Sequence, residues 1–300
     1  MADEADWRFL VEDPPFAKNA VNTLGKYYSG KRSSPPDSAA DIITWYRNLG
    51  ERTRDALTEF LTPSFAGCSL LAANTRVKTG LTIADKIKRQ HIQLSNMFDF
   101  VGVRLEWDCY LSDLMSMAEH ICDELEPLGA KVEIKDYREK SQHGYRAVHC
   151  VITSRAGRIE VQLRTLFQSR WANAFEILGD IAGRSIRYQD DPIIPDKQFE
   201  PLYHRLLDLS EGLHRAEQKT EESTDSMNRA LRQSITKHHR ILIEPKFHEL
   251  RSQSFRYLAE SELAQAKAAR ANLQTLDALQ GLLQSLNELR KVVTSQEGRE

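Results

Sequence analysis

In the stretch "RIEVQLRT", Arg158, Glu160, Gln162 and Arg164 alternate with Ile159, Val161 and Leu163. Successive side chains of an extended chain leave opposite faces, so the polar groups form one row and the aliphatic groups the other. A second carboxylate, Asp99, stands at the entrance of "FDFVGVRLEW", where Val101, Val103, Leu105 and Trp107 alternate with Gly102, Arg104 and Glu106. Ahead of it lies a concentrated basic strip: Arg76 and Lys78, then Lys86, Lys88 and Arg89. Binding a nucleotide polyphosphate needs cations for the phosphates, one or two carboxylates for a divalent metal that keeps several waters, and a flat side chain for the base. The basic strip meets the first need and suits a triphosphate. Asp99 and Glu160 are the best-placed carboxylates for Mg²⁺, and neither sits beside an evident permanent partner on a helix surface. Tyr145 and His149 are predicted to share one strand face and are candidates for base stacking and a phosphate contact.

Taken singly, each of these signals also fits a solvated helix face or an exposed strand residue. The elements that must position them are read from periodicity. Residues 143–165 predict two strands joined by a small glycine turn, with the hairpin running from 145 to 164, and "AKVEIKDY" predicts a further strand. Ile42, Trp45, Leu49, Ala56, Leu57 and Phe60 recur at helical spacing, with Gly50 weakening the middle of that helix. A basic amphipathic helix is predicted to start at Thr82. Another carries Leu114, Met117, Ala118, Ile121 and Leu125 on one stripe and stops at Gly129, and a third, with Leu166, Trp171, Phe175 and Leu178, ends near Gly179. Strands and helices alternate without a Rossmann or P-loop glycine fingerprint, so a mixed sheet of α/β type (α+β) flanked by helices is the economical reading.

From Lys197 onward the chain turns to long, charge-rich helical stretches, interrupted at Pro245. The predicted organisation is a helical N-terminal extension over 1–69, a core over 70–190 and a helical C-terminal extension over 191–300. With 300 residues, 41% hydrophobic and 28% charged, the chain should fold as a globular protein. A formal net charge of -2 argues against a general polyanion-binding surface, so any nucleic-acid contact must be local. Cys68, Cys109, Cys122 and Cys150 are scattered, with no CxxC pair and no histidine at zinc spacing, and read as reduced thiols. The acidic start "MADEADWRFLVEDPPF" is unlike a secretory signal and no apolar run reaches membrane-spanning length, so a cytoplasmic protein with no membrane partner is expected.

The order of the motifs adds more than any one of them. "RVK" with the following "TIADK", "DFVGVR", "KDY" with "HGYRAVH", and "IEVQLRT" with "WA" together resemble the synthetase domain of the RelA/SpoT family of alarmone synthetases. The resemblance covers roughly residues 70 to 180 and implies a nucleotidyltransferase-like fold. It implies an enzyme that moves the β,γ-pyrophosphate of ATP to the ribose 3′-hydroxyl of GDP or GTP, making (p)ppGpp, with Mg²⁺ as cofactor. By resemblance Arg76 and Lys78 grip ATP, Lys86 and Lys88 assist, and Asp99 carries Mg²⁺. Glu160 either shares the metal or accepts the proton of the attacking hydroxyl. Tyr145 is similar to the tyrosine that stacks on the acceptor guanine, and Lys140, His149, Gln162 and Arg164 line the acceptor side. Asp85 stands where many relatives carry a cation, and His143 replaces the asparagine or small polar residue common before the Gly-Tyr pair.

Two rival readings come from different classes. Some compact relatives are toxins that pyrophosphorylate the 3′ terminal adenosine of tRNA. A tRNA acceptor end would need a basic track, for which Arg138, Lys140, Arg146 or "KHHR" at 237–240 are candidates. The other reading is a non-catalytic nucleotide sensor, against which the presence of both Asp99 and Glu160 counts. The helical extensions suit a homo-oligomer or an antitoxin contact.

Overall fold

The computed structural model describes residues 5–188, 192, 194, 196–241, 274, 275, 277–288, 290 and 291. Helices α1 (Lys18–Tyr28) and α2 (Ala39–Ser64) precede β1 (Ser69–Val77), α3 (Gly80–Gln90), β2 (Val101–Asp108) and α4 (Leu111–Leu125). Then come β3 (Lys131–Asp136), β4 (Val148–Thr153), β5 (Arg158–Thr165), α5 (Leu166–Ala182) and α6 (Glu200–Ile241). The chain forms two compact units: one holds the residues up to Gln142 with Arg146–Ser169, the other His143–Tyr145 with the described residues from Arg170 onward. Among the described residues no helix is long and apolar enough to cross a membrane.

The first unit is built on a five-stranded sheet in the order β1-β2-β5-β4-β3. β2 and β5 run parallel and the other neighbours antiparallel, which makes the mixed sheet that the alternation of elements predicts. Alternation predicts no strand over 69–77. A register shift between Leu70 and Ala72 breaks the two-residue period there, and β1 is an edge strand that pairs on one side only.

Directly paired residues project to the same side of a sheet, so the register sorts every side chain. Val101, Val103, Leu105 and Trp107 share a face with Ile159, Val161, Leu163, Val148, Cys150 and Ile152, all buried. Against this face lie α2, through Ile42, Leu49, Leu57 and Leu61, and α4, through Leu114, Met117, Ala118, Ile121 and Leu125. Each such aliphatic side chain contributes about 1.5–3 kcal/mol of burial free energy. Gly50 sits within α2 for a packing reason: a Cβ there would lie 2.6 Å from Val101 Cγ2. The expected N-terminal extension therefore shares its hydrophobic cluster with the sheet, since Val21, Leu24, Ile42 and Leu57 all join it.

Helix boundaries follow from their caps. The α3 helix begins at Gly80, two residues before the predicted start, because the Thr79 hydroxyl accepts the Thr82 N–H at 3.5 Å. In α4 the Asp113 carboxylate accepts the Tyr110 N–H at 2.8 Å. Gly129, with φ 84°, ends the short turn that follows α4, as predicted. The hairpin begins later than predicted: β4 starts at Val148, so Tyr145 precedes the strand and shares no strand face with His149. His143 has a left-handed backbone, φ 51°, a region in which Asn, Asp and His are enriched.

In the second unit α5 continues past Gly179 to Ala182, because this glycine makes room for the Arg187 guanidinium and does not cap the helix. Arg187 then pairs with Asp180 at 2.7 Å. Trp171 stacks on Phe175 at 4.7 Å and donates its indole N–H to Leu206 O at 2.6 Å, joining α5 to α6. The long polar helix predicted from Lys197 onward is α6; Pro245 lies outside the described residues.

Candidate active site

On the other face of the sheet, Gly102 pairs with Glu160, Arg104 with Gln162 and Glu106 with Arg164. His149 pairs with Gln162, Lys135 with His149, and Arg76 with Gly102. The polar row of β5 is thus one line in a polar surface that spans all five strands. Its residues are bonded in series: Arg164 Nη2 donates to Gln162 Oε1 at 2.6 Å, and Gln162 Nε2 donates to Glu160 Oε2 at 2.7 Å. His149 Nδ1 lies 3.2 Å from Glu160 Oε1. A guanidinium only donates and an ionised carboxylate only accepts, so the amide between them has one satisfying orientation.

Glu160 is buried, at 7% exposure. Burial alone would push its carboxyl up, but the His149 hydrogen bond and charge, the Gln162 amide and the Lys86 charge together hold it at about 2. Tyr137 meets the His149 ring edge-on at 5.0 Å.

Asp99 lies three residues before the Gly102 that pairs with Glu160. Its Oδ2 accepts from Lys86 Nζ at 2.6 Å and lies 3.2 Å from Lys78 Nζ. Asp99 Oδ1 is buried and has no hydrogen-bond partner. A buried carboxylate oxygen without a donor is costly unless something else supplies positive charge, and a hard cation with oxygen preference does so. The donor set therefore fits Mg²⁺ at Asp99. Glu160 has both oxygens engaged by neighbours, with lone pairs to spare. Two ammonium groups lie over the Phe98 ring, Lys86 Nζ at 4.6 Å and Lys135 Nζ at 4.3 Å from its centre. Such contacts are worth about 0.5–1 kcal/mol each; Lys86 is thereby steadied beside Asp99, while Lys135 lies 3.6 Å from Glu133. Arg76, Lys78, Lys86, Arg104, Lys135 and Arg164 outnumber Asp99, Glu106, Glu133 and Glu160 on this face and at its margin, a balance that suits a polyanionic ligand.

The structure gathers Arg76, Lys78, Lys86, Asp99, His149, Glu160, Gln162 and Arg164 in the first unit, on or beside the polar face. Lys86 and Lys88 diverge: Lys86 is buried against Asp99, whereas Lys88 is exposed on α3. The expectation that neither carboxylate sits beside a permanent partner on a helix surface is corrected for Asp99 by Lys86 of α3, whereas the partner of Glu160 is His149 of strand β4. Lys140 is exposed beyond β3, and Tyr145 belongs to the other unit. Sequence reasoning passed over Phe98, Glu106, Arg104, Lys135 and Tyr137. Arg104 and Glu106 carried a usable signal, since they alternate with the core residues of β2. Of the basic track suggested for tRNA, Arg146 is 4% exposed and donates to the carbonyls of Arg138 and Glu139. Arg138 itself donates to Leu111 O at 2.6 Å and pairs with Asp136 at 2.8 Å. Both hold the loop together. The side chains of "KHHR" at 237–240 lie outside the described residues.

Residues 75–177 match the family described as "Region found in RelA / SpoT proteins". The uncharacterised proteins Rv1366 of Mycobacterium tuberculosis and Mb1401 of Mycobacterium bovis are each 34% identical over 220 residues, 69% of this chain and 78% of each relative. Among solved structures, the crystal structure of the small alarmone synthetase 1 from Bacillus subtilis is similar in fold, with a TM-score of 0.50 and 23% identity. That likeness covers 65% of this chain and 100% of the other. Every residue gathered on the polar face falls within the matched segment.

Proposed function

Because the chain belongs to the RelA/SpoT family, we propose that it is a pyrophosphokinase, moving the β,γ-pyrophosphate of ATP to the 3′-hydroxyl of GDP or GTP with release of AMP. One observation carries this reading. The Lys86 ammonium pairs with Asp99 at 2.6 Å, and its charge is also felt by Glu160, so both carboxylates address one cationic centre. In pyrophosphoryl transfer there is little covalent work for the protein, and the rate comes from alignment and from cations that offset moving charge.

Arg76, Lys78 and Lys86 take the phosphates of ATP in this reading. Asp99 offers its unpartnered Oδ1 to Mg²⁺, which when bound neutralises charge on the phosphate oxygens. Glu160 holds His149 and Gln162 in place and faces the same cationic centre. A carboxyl held at about 2 is a weak proton acceptor near neutral pH, so the metal-side role suits it better than that of general base. His149, Gln162 and Arg164 serve the acceptor. The stacking role of Tyr145 and the roles of Lys88 and Lys140 rest on the resemblance alone, while Tyr137 offers an aromatic ring beside His149.

The tRNA reading is weakened by Arg138 and Arg146, whose guanidinium groups are spent on backbone carbonyls and Asp136. Purified protein incubated with ATP labelled at the γ-phosphate, in separate reactions with GDP, GTP, AMP and bulk tRNA, tests the proposal. Label is expected on the guanine nucleotides. Label on tRNA alone, or ATP binding with no transfer, would overturn it.

A further inference from the structure

The polar face uses none of the cysteines, yet two of them meet. Ser69 pairs with Asp108 at the far end of the β1–β2 ladder, so Cys68 and Cys109 are the next residues out on the two strands. Asp113 reaches the same place from the first turn of α4, held there by its bond to the Tyr110 N–H at 2.8 Å. The two sulfurs and a carboxylate oxygen of Asp113 all lie within 4.8 Å of one another.

All three side chains are half-buried, and no disulfide joins the cysteines. We propose that Cys68, Cys109 and Asp113 form a binding site for a thiophilic divalent cation of the zinc class, separate from the nucleotide site. Two sulfurs and one oxygen select a borderline-soft ion such as Zn²⁺ or Co²⁺ over Mg²⁺ or Ca²⁺, which take oxygen donors. Tetrahedral zinc with bonds of about 2.0–2.3 Å brings its donors to roughly 3.3–3.8 Å of each other. Small side-chain rotations close the present spacing to that range. Three protein donors leave the fourth position to water or a small ligand. Binding exchanges the two thiol protons for one cation, so that two thiolates and one carboxylate face a double positive charge.

The surroundings favour a cation. Burial is the main reason the Cys68 thiol is pushed up to about 11, and the charges of Asp113 and Asp108 add to it; that carboxylate charge is what a cation would offset. The position also gives the ion a distinct task. β2 spans eight residues between Asp99 and Cys109, roughly 26 Å at about 3.3 Å per residue, whereas Glu106, which pairs with Arg164, lies three residues from Cys109. A cation there would clamp the start of β1, the end of β2 and the first turn of α4 through Cys68, Cys109 and Asp113.

The test uses the full chain, reduced with a phosphine, equilibrated with zinc chloride and passed through a desalting column before metal analysis. About one zinc per chain is expected at micromolar free metal, with a higher melting temperature; cobalt should give an intense sulfur-to-metal charge-transfer band. Cys68→Ser and Cys109→Ser should lose the metal, and Asp113→Asn should weaken binding at least ten-fold. Cys122→Ser and Glu160→Gln should keep it, which separates this site from the nucleotide site. Should the serine variants fail to fold, alkylation of the wild-type chain still decides: zinc should protect Cys68 and Cys109 but not Cys122. No retained zinc, equal zinc in Cys68→Ser, or loss of zinc in Glu160→Gln would each overturn the proposal.

Discussion

The two faces of the sheet are made by the same strands, residue by residue in alternation, and they obey different rules. On one face Val103, Leu105 and Trp107 are filled in by α2 and α4, and what matters is volume. On the other face Arg104, Glu106, Glu160, Gln162 and Arg164 are bonded or paired along and across the strands, and what matters is the sign and direction of each donor. The difference teaches that stability and chemistry can be perturbed separately in this protein, although the residues concerned are neighbours in sequence.

The sharpest way to test that separation is through the packed face. Trp107 is fully buried, and Trp107→Ala should cost about 3–5 kcal/mol of stability through lost contacts and a cavity. Urea unfolding monitored by circular dichroism reads the loss. The fraction still folded should keep its affinity for ATP; a large loss of affinity in folded protein would show that the two faces are coupled.

From the polar side, Asp99→Asn preserves shape and removes the charge that balances Lys78 and Lys86. Transfer should fall on the order of 10²–10³-fold, as when one preorganised electrostatic contact is deleted, and the urea midpoint should fall less than in Trp107→Ala, by the cost of leaving Lys86 without its closest partner. Initial rates under saturating ATP measure this. A rate within a few-fold of the wild type would remove Asp99 from the site.

How much of this was legible in the sequence differs between the faces for a physical reason. The packed face announces itself by periodicity within one segment, so β2, the hairpin and the helix stripes could be read directly, as could the mixed sheet. The polar face depends on which segments become neighbours. Glu160, Gln162 and Arg164 were visible as a row, but their link to His149 is a cross-strand pairing, and the Lys86 contact to Asp99 joins a helix to the entrance of β2. The same limit hid the meeting of Cys68 and Cys109, forty-one residues apart and brought together by register. Tyr145 was misplaced because alternation ran past the true start of β4 at Val148.

A smaller effect is expected from acid. The folded Glu160 carboxyl sits at about 2, below its ordinary 4.5, so it favours the folded state above about 4.5 and this contribution is lost as pH falls toward 2. Wild-type protein should therefore exceed Glu160→Gln in stability at pH 5, and the gap should close by pH 2. Urea midpoints of both proteins across that interval check it, and a gap that does not change would mean that the neighbours of Glu160 do not favour its charged form in the folded protein.

The smallest expected effect divides two lysines two residues apart on α3. A helix turns about 200° over two residues, so Lys86 and Lys88 cannot address the same ligand in the same way. Lys86 is buried, bonds Asp99 at 2.6 Å and lies over the Phe98 ring; Lys88 is exposed. Lys86→Met keeps the aliphatic stem and deletes the charge, leaving Asp99 short of its closest cation, and should raise the KM for ATP at least ten-fold. Lys88→Ala alters a solvated side chain and should shift stability by no more than about 0.5 kcal/mol and the KM for ATP by less than about two-fold. Equal effects in the two variants would show that ATP approaches along the outer side of α3, and the polar face would then no longer account for the basic strip.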